Sequence, residues 1–538
     1  MNQRGNRRAR LHRRLADRLQ GFLLFAGIIV SPWAFGTVHD SSIAVLNGIG
    51  FSIGTISAIQ LFFFRGSSAD SDGRSRRGSD PSSDFLIPWI LLLSSLFLVY
   101  VLLSWMNFRA EFSESSLSFS FREDYIPWLP HTYDREATFQ FLLRFISLFC
   151  FYWGVRQWLS AGRNIRLKSR HEEPREYPNQ EARPTIYNPR RLKALLGVIA
   201  VNSGLLAFVG ILQRLDGGKK LLWIYEPKMQ MMVDQSFGPF AYRGNAASLI
   251  NLAWPIALLL YFLIRNESAG LGARRRLGSS PAGVVVPLLA LLLVAPIATT
   301  SRAGLLVFGL EIFLVVAFSR KLLFPLVVKH MRVVVPVALS ACLFLVYIAG
   351  EFGTWARVLE TAREGIIPKY TSRLDIYQHI PEMLENYGLQ GSGAGSFPAI
   401  YVAHRKPFFR PYVGEFDNNS RLVPWSAWLH CDPAEFVITF GVIGTLFLVV
   451  AYVLMLIEAR RAFQRAEGLG TYIPFLPIAQ GGMIIHSLID FPFQVYSVSL
   501  LFVVTCAIMR YTPTRLYDER DILDVHNTCR SYRYRVDC

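Results

Sequence analysis

The chain has 538 residues, of which 52% are hydrophobic, 14% aromatic and 18% charged, and its formal net charge is +17. So high an apolar content excludes an ordinary soluble protein of this length and indicates a polytopic membrane protein. The positive charge does not indicate a nucleic-acid binder, because it is distributed along the chain in the alternating manner of membrane topology.

Crossing a hydrocarbon core of roughly 30 Å takes about 20 apolar residues in a helix. A basic N-terminus (Arg4, Arg7, Arg8, Arg10, Arg13, Arg14, Arg18) precedes the first such run, 19–36. This start resembles a secretory signal, but no small-residue cleavage site follows, so it reads as an uncleaved signal anchor. Further runs fall at 43–64, 85–106, 138–158, 194–213, 246–264, 283–300, 303–319, 332–350, 432–457, 472–489 and 493–510. The fold class expected is therefore all-α, a bundle of about 12 transmembrane helices. Pro296, Pro474, Pro477 and Pro492 are placed to bend or shorten the closely spaced helices around Ser301 and Phe491.

Basic residues recur in every second loop: Arg74, Arg76 and Arg77; Arg156 to Lys193; Arg274 to Arg276; Arg320, Lys321, Lys329 and Arg332; Arg460 and Arg461. Loops 37–42 and 487–493 hold no Lys or Arg. Both termini are expected in the cytoplasm, and crossing parity puts the long polar excursion 350–430 in the periplasm of a bacterium, outside its inner membrane. Segments 66–84 and 161–189 read as cytoplasmic linkers. The organisation expected is an N-terminal set of helices over 1–236, a catalytic membrane domain over 237–510 and a cytoplasmic tail over 511–538. Cys150, Cys342 and Cys506 fall in helices, Cys529 and Cys538 in the tail, and Cys431 alone near the oxidising side, so no disulfide framework is expected. No internal repeat is visible, which weakens the case for a secondary transporter.

An arginine at the outer boundary needs a polar surrounding. Three stand there: Arg243 in Phe237-Gly238-Pro239-Phe240-Ala241-Tyr242-Arg243-Gly244-Asn245, Arg302 in Thr299-Thr300-Ser301-Arg302, and Arg373 in Ser372-Arg373-Leu374-Asp375. Each either reaches lipid headgroups or a structural carboxylate, or forms part of an anion site. Two guanidiniums at that depth suit a diphosphate, since each offers planar, bidentate, permanently charged donors. His430 ends the outer loop, with Asp432 and Glu435 two and five residues on, and is either a structural side chain or a general base. Glu435 would orient it or favour the helix N-terminus. His404 is the rival base, beside Arg405 and Lys406, whose charges would lower its basicity. Gly388, Gly391, Gly393 and Gly395 do not fit a nucleotide loop and read as turns. His486 and Asp490, four apart, form a structural pair or a catalytic one. Glu311, nine residues from Arg302, is expected to pair with another helix.

Taken in order, these residues resemble the O-antigen ligase and polymerase superfamily, membrane glycosyltransferases that use polyprenyl-diphosphate-linked glycans. The resemblance spans roughly Phe237 to Phe502. It rests on Gly238-Pro239-Phe240 through Asn245, Thr300-Ser301-Arg302, Ser372-Arg373 with Gly388 to Phe397, His430 with Glu435, Gly441 and Gly444, and His486-Ser487-Leu488-Ile489-Asp490-Phe491-Pro492. One departure is that the family commonly has Asn after the His, where this chain has Cys431 and then Asp432-Pro433. The resemblance implies a GT-C-like helical bundle and a mechanism without metal or cofactor, with His430, Arg302 and Arg243 as catalytic groups. Arg373, Glu435, Ser301 and Asn245 are expected to bind substrate.

The activity this implies is transfer of a glycan from a polyprenyl-diphosphate-linked donor to an acceptor hydroxyl, with inversion, on the periplasmic face. The acceptor is lipid A core, a further lipid-linked repeat unit (a polymerase) or a protein. Tyr401, Phe408, Phe409, Tyr412, Trp425 and Trp428 suit stacking on sugar faces. The rival outside this class is a non-enzymatic flippase or transporter of the lipid-linked glycan, which would need polar groups across the whole membrane. Membrane lipids, and no nucleic acid, are the other partners expected.

Overall fold

A computed structural model describes residues 2–64, 85–113, 118–161, 189–217, 220–225, 236–269, 281–329, 349–364, 372–404, 428–466 and 474–511, with 336, 343, 346 and 347. Eight long helices come first: α1 (Asn2–Trp33), α2 (Asp40–Phe64), α3 (Leu86–Met106), α4 (Arg135–Ala161), α5 (Pro189–Leu215), α6 (Arg243–Ala269), α7 (Val285–Thr299) and α8 (Arg302–Lys329). Four short helices follow, α9 (Thr354–Glu364), α10 (Ser372–Tyr377), α11 (Ile380–Tyr387) and α12 (Phe397–His404). Then come the long α13 (Asp432–Ala466) and two 13-residue helices, α14 (Phe475–Ser487) and α15 (Tyr496–Ile508).

Among the described residues, nine helices, α1 to α8 and α13, are long and apolar enough to cross a membrane, α7 being counted with the 3₁₀ turn Pro281–Val284 that runs into it, as Pro281–Thr299. The chain is thus a helical, multi-pass membrane protein. The ninth expected run, 332–350, lies mostly outside the described residues, as do linker 66–84, most of linker 161–189 and tail residues 512–538. The last two expected runs form helices well short of the roughly 20 residues a span needs. Pro474 precedes α14, and Pro492 opens a 3₁₀ turn before α15; a ring with no N–H cannot continue a helical ladder. An antiparallel hairpin, β1 (Ala110–Ser113) with β2 (Ser118–Phe121), joins α3 to α4 and was not foreseen.

The membrane-crossing stretches of these helices, such as the whole of α3, are apolar around their circumference, as lipid on one side and protein on the other require. On α3, Ile90, Phe97, Tyr100 and Val101 are buried, whereas Trp89, Leu91, Leu92 and Val99 point outward. Helix α6 is the central one, with Ala246, Ala247, Ile250, Ala253 and Ala257 fully buried where it packs on α5, α7, α8 and α14. Small side chains let these backbones approach closely. As expected, Glu311 meets another helix: its Oε2 accepts a hydrogen bond from Trp254 Nε1 of α6 at 2.6 Å. Toward the end of the bundle where α4 finishes, Glu458 of α13 takes two bonds from Arg156 of α4 (2.7 and 2.8 Å) and one from Arg510 (2.8 Å).

The glycine-rich loop between α11 and α12 lies across a break in α13. At Gly441 the backbone leaves helical geometry (φ 66°, ψ 174°). Ser392 and Gly393 donate their N–H groups to the carbonyls of Ile438 and Thr439 (both 2.9 Å), and Val442 donates to Gly388 (2.8 Å). A Cβ on Gly391 would fall 2.3 Å from the Thr439 carbonyl, and one on Gly441 2.3 Å from that of Leu389. The glycines therefore permit a backbone-to-backbone contact, in line with their reading as turn residues. Tyr100 of α3 closes the contact, its hydroxyl donating to the Gln390 carbonyl at 2.6 Å. Gly441→Ala is expected to destabilise by about 1–3 kcal/mol from the positive φ alone, with the overlap added. A fall in the unfolding midpoint of the detergent-solubilised protein is the readout, and an unchanged midpoint would show that the break does not hold the loop.

Candidate functional site

His430 is positioned by the first turn of α13. Glu435 folds back so that its Oε2 accepts the Leu429 N–H at 2.8 Å, and the Tyr377 hydroxyl donates to the His430 carbonyl at 2.8 Å. His430 itself takes a left-handed backbone conformation (φ 60°), uncommon for a residue with a Cβ. The turn aims the imidazole Nδ1 at Asp490 Oδ1, 3.2 Å away, with the ring edge-on to Phe491 (centroids 4.7 Å apart). The His430 side chain keeps 19% of its surface exposed and that of Asp490 only 3%. This is the arrangement of a reachable imidazole backed by a sheltered carboxylate.

Asp490 gathers further groups. The Tyr242 hydroxyl donates to its Oδ2 at 3.0 Å, Arg373 donates to the Tyr242 hydroxyl at 2.7 Å and to the Ile489 carbonyl at 2.9 Å, and the guanidinium lies 3.9 Å from Asp490 Oδ1. His486 Nε2 stands 3.8 Å from Oδ2, an electrostatic distance, while its Nδ1 meets Ser248 Oγ at 3.0 Å. Burial opposes ionisation of Asp490, but the two histidines and the charge of Arg373 outweigh it and hold the carboxyl well below its usual range. Burial lowers the pKa of His430, and Arg373 adds to this, against the raising effect of Asp490. Tyr242 is pushed up by burial and by Asp490, so it is a donor rather than a base.

The segment bearing Asp490 is clamped from two other helices. Arg144, buried in α4, donates to the carbonyls of Gln494 (2.8 Å) and Phe493 (2.6 Å) and to Ser499 Oγ (3.0 Å). Asp432 Oδ2 accepts the Phe493 N–H at 2.8 Å. Neither clamp was foreseen from the sequence.

The second part of the site is the turn between α7 and α8. Thr300 takes a left-handed conformation (φ 55°), and Ser301 Oγ accepts the Gly304 N–H at 3.2 Å, capping α8. Arg243 and Arg214 both donate to Thr300 Oγ1, at 3.2 and 3.1 Å. Two guanidiniums thus meet at one hydroxyl of this turn. Arg302 pairs instead with Glu360 of α9 at 2.6 Å.

Of the residues singled out, the structure brings Arg373 to His430, and sets Arg243, Ser301 and Arg302 at or beside the Thr300 turn. Arg243 follows Tyr242 directly, which links the two parts. Asn245 is buried in the first turn of α6. Glu435 is 1% exposed and occupied with the backbone of Leu429, which gives it a structural task. His404 stands apart, between Glu382 (3.2 Å) and the Tyr387 hydroxyl (3.0 Å); Arg405, Lys406, Phe408, Phe409, Tyr412 and Trp425 lie outside the described residues. Arg214 was missed. Its signal was its place as the basic residue of the last turn of α5. No protein-family model matches the chain, and no curated protein matches it.

Proposed function

We propose that this chain is a membrane glycosyltransferase of the O-antigen ligase type. In this reading it moves a glycan from a polyprenyl-diphosphate-linked donor to an acceptor hydroxyl at the periplasmic face of a bacterial inner membrane. The observation that carries the reading is His430 held through Nδ1 by Asp490, which also binds Tyr242, the neighbour of Arg243 at the Thr300 turn; in this reading Nε2 faces the substrate. His430 Nε2 takes the acceptor proton as that oxygen attacks the anomeric carbon from the side opposite the diphosphate. The bond from anomeric carbon to diphosphate oxygen breaks, its electron pair leaves with the diphosphate, and configuration inverts. Arg243 and Arg302, with Arg214 beside them, stabilise the charge that builds on the leaving group. Arg373, already engaged with Tyr242 and Asp490, orients the base.

The direct test is the purified protein in liposomes with a polyprenyl-diphosphate oligosaccharide and candidate acceptors. Release of polyprenyl diphosphate with glycan on the acceptor is expected. Movement of intact donor between leaflets without bond cleavage would instead establish the flippase. Topology supplies a second check, since a reporter fused near Pro411 is expected to be active only when exported. Activity confined to the cytoplasm would turn every proposed group to the wrong side.

Arg302 has two possible tasks, and Glu360 separates them. Arg302→Ala is expected to lower transfer about 10²-fold, the scale of losing one charge-stabilising donor, at unchanged abundance. Glu360→Gln removes the partner but leaves the guanidinium, so transfer is expected to persist. If Glu360→Gln reproduces the loss, the ion pair itself is what matters.

A further inference from the structure

Helix α9 is an 11-residue amphipathic segment whose placement follows from two anchors. At its start the Thr354 hydroxyl donates to the Ile297 carbonyl, in the last turn of α7, at 2.9 Å. Six residues on, Glu360 holds Arg302, the first residue of α8, at 2.6 Å. Ile297 and Arg302 flank the same turn between two membrane-crossing helices and so lie at nearly one depth. The two anchors are about 9 Å apart along α9, at 1.5 Å per residue. A helix tied at both points to one depth runs along the membrane plane, not through it. Phe352, just before α9, packs on the main apolar core, so the start of α9 is held against the bundle.

The remaining surface of α9 is apolar. Trp355, Val358 and Leu359, at the i, i+3, i+4 spacing of one helix face, are 47%, 41% and 54% exposed, and Ala362 continues the strip. This face is turned away from Glu360. Ala356 and Arg363 occupy the next strip around the helix and are also exposed. We propose that α9 docks on the lipid surface, lying along the outer boundary of the bilayer with Trp355, Val358 and Leu359 in the headgroup and acyl region. The level set by the two anchors supplies the occupant, because lipid is the apolar medium that surrounds the ends of α7 and α8. An amphipathic helix parallel to the surface with its apolar face sunk a few ångströms is the favoured state in such a position. The proposal stands whether or not the chain transfers glycans.

Spin labels at Val358→Cys and at Ala356→Cys, each in a cysteine-free full-length chain, test it in vesicles of zwitterionic and anionic phospholipid. The label at 358 is expected to collide several-fold more with oxygen than with a water-soluble nickel chelate, and the label at 356 to show the reverse preference. Free access of the chelate to 358 would place the face in water. Shielding of 358 from both probes would mean that protein, such as a second copy of the chain, covers it. Either result overturns the proposal. Should the cysteine-free chain not accumulate, the native protein can be photolabelled with a diazirine phospholipid and digested with trypsin. Adducts on the peptide 358–363 are expected; their absence, with Leu91 and Leu92 of α3 labelled in the same sample, overturns it equally.

Discussion

His430→Ala is expected to lower transfer by roughly 10²–10⁴-fold, the usual contribution of a general base, while the protein still accumulates and still binds lipid-linked donor. Binding is retained because Arg243 and Arg302 are untouched. The pH dependence follows from the surroundings of the ring. A base must be neutral, so the wild-type rate falls as pH drops through the imidazole pKa. Burial shifts that pKa below its ordinary 6.5, so the acid limb is expected below pH 6.5. His404→Ala is the control. His404 binds Glu382 and Tyr387 away from Asp490, and its loss should be mild. Transfer abolished by His404→Ala and preserved in His430→Ala would move the base to the other histidine.

Asp490→Asn is the more searching change, because volume is kept and charge is not. The carboxylate accepts from His430 Nδ1, and that bond is what leaves Nε2 bare. An amide can turn its NH₂ toward Nδ1 instead, placing the ring hydrogen on Nε2, where it blocks proton uptake. The loss expected is up to about 10⁴-fold, the scale seen when the carboxylate that fixes a catalytic tautomer is neutralised. Arg373 also loses its counter-charge, so abundance must be followed beside rate. Full transfer by Asp490→Asn at normal abundance would leave the histidine without its proposed support.

The membrane architecture was legible in the sequence wherever apolar length alone decided it, as in α3, whose 21 residues carry no charge. It was not legible near Pro474 and Pro492. There the runs read as spans, but the helices begin after these prolines, at Phe475 and Tyr496, and are 13 residues long. The glycines of 388–395 were read as turns, and what remained hidden was their counterpart at Gly441, since no local signal shows two backbones in contact. In the site, residue types at the outer boundary pointed to Arg243, Arg302, Arg373 and His430. Their partners came from elsewhere in the chain: Asp490 is 60 residues from His430. Sequence spacing set Asp490 beside His486, whereas the fold aims its nearer oxygen at His430. Glu435 was read as either orienting His430 or favouring the N-terminus of α13, and its Oε2 accepts the Leu429 N–H.

The clamp on the segment after Asp490 bears on how the protein is made. Arg144 and the Gln494 carbonyl it grips are 350 residues apart. At translation rates of about 5–20 residues per second, roughly 20–70 s separate their synthesis. During that interval a guanidinium sits within an inserted helix with none of its eventual acceptors on α15 or the turn before it, a costly state in lipid. A nascent chain interrupted before residue 490 would hold most of its membrane helices yet carry this unanswered charge. In the finished protein the same side chain grips the segment that follows the carboxylate beside the histidine.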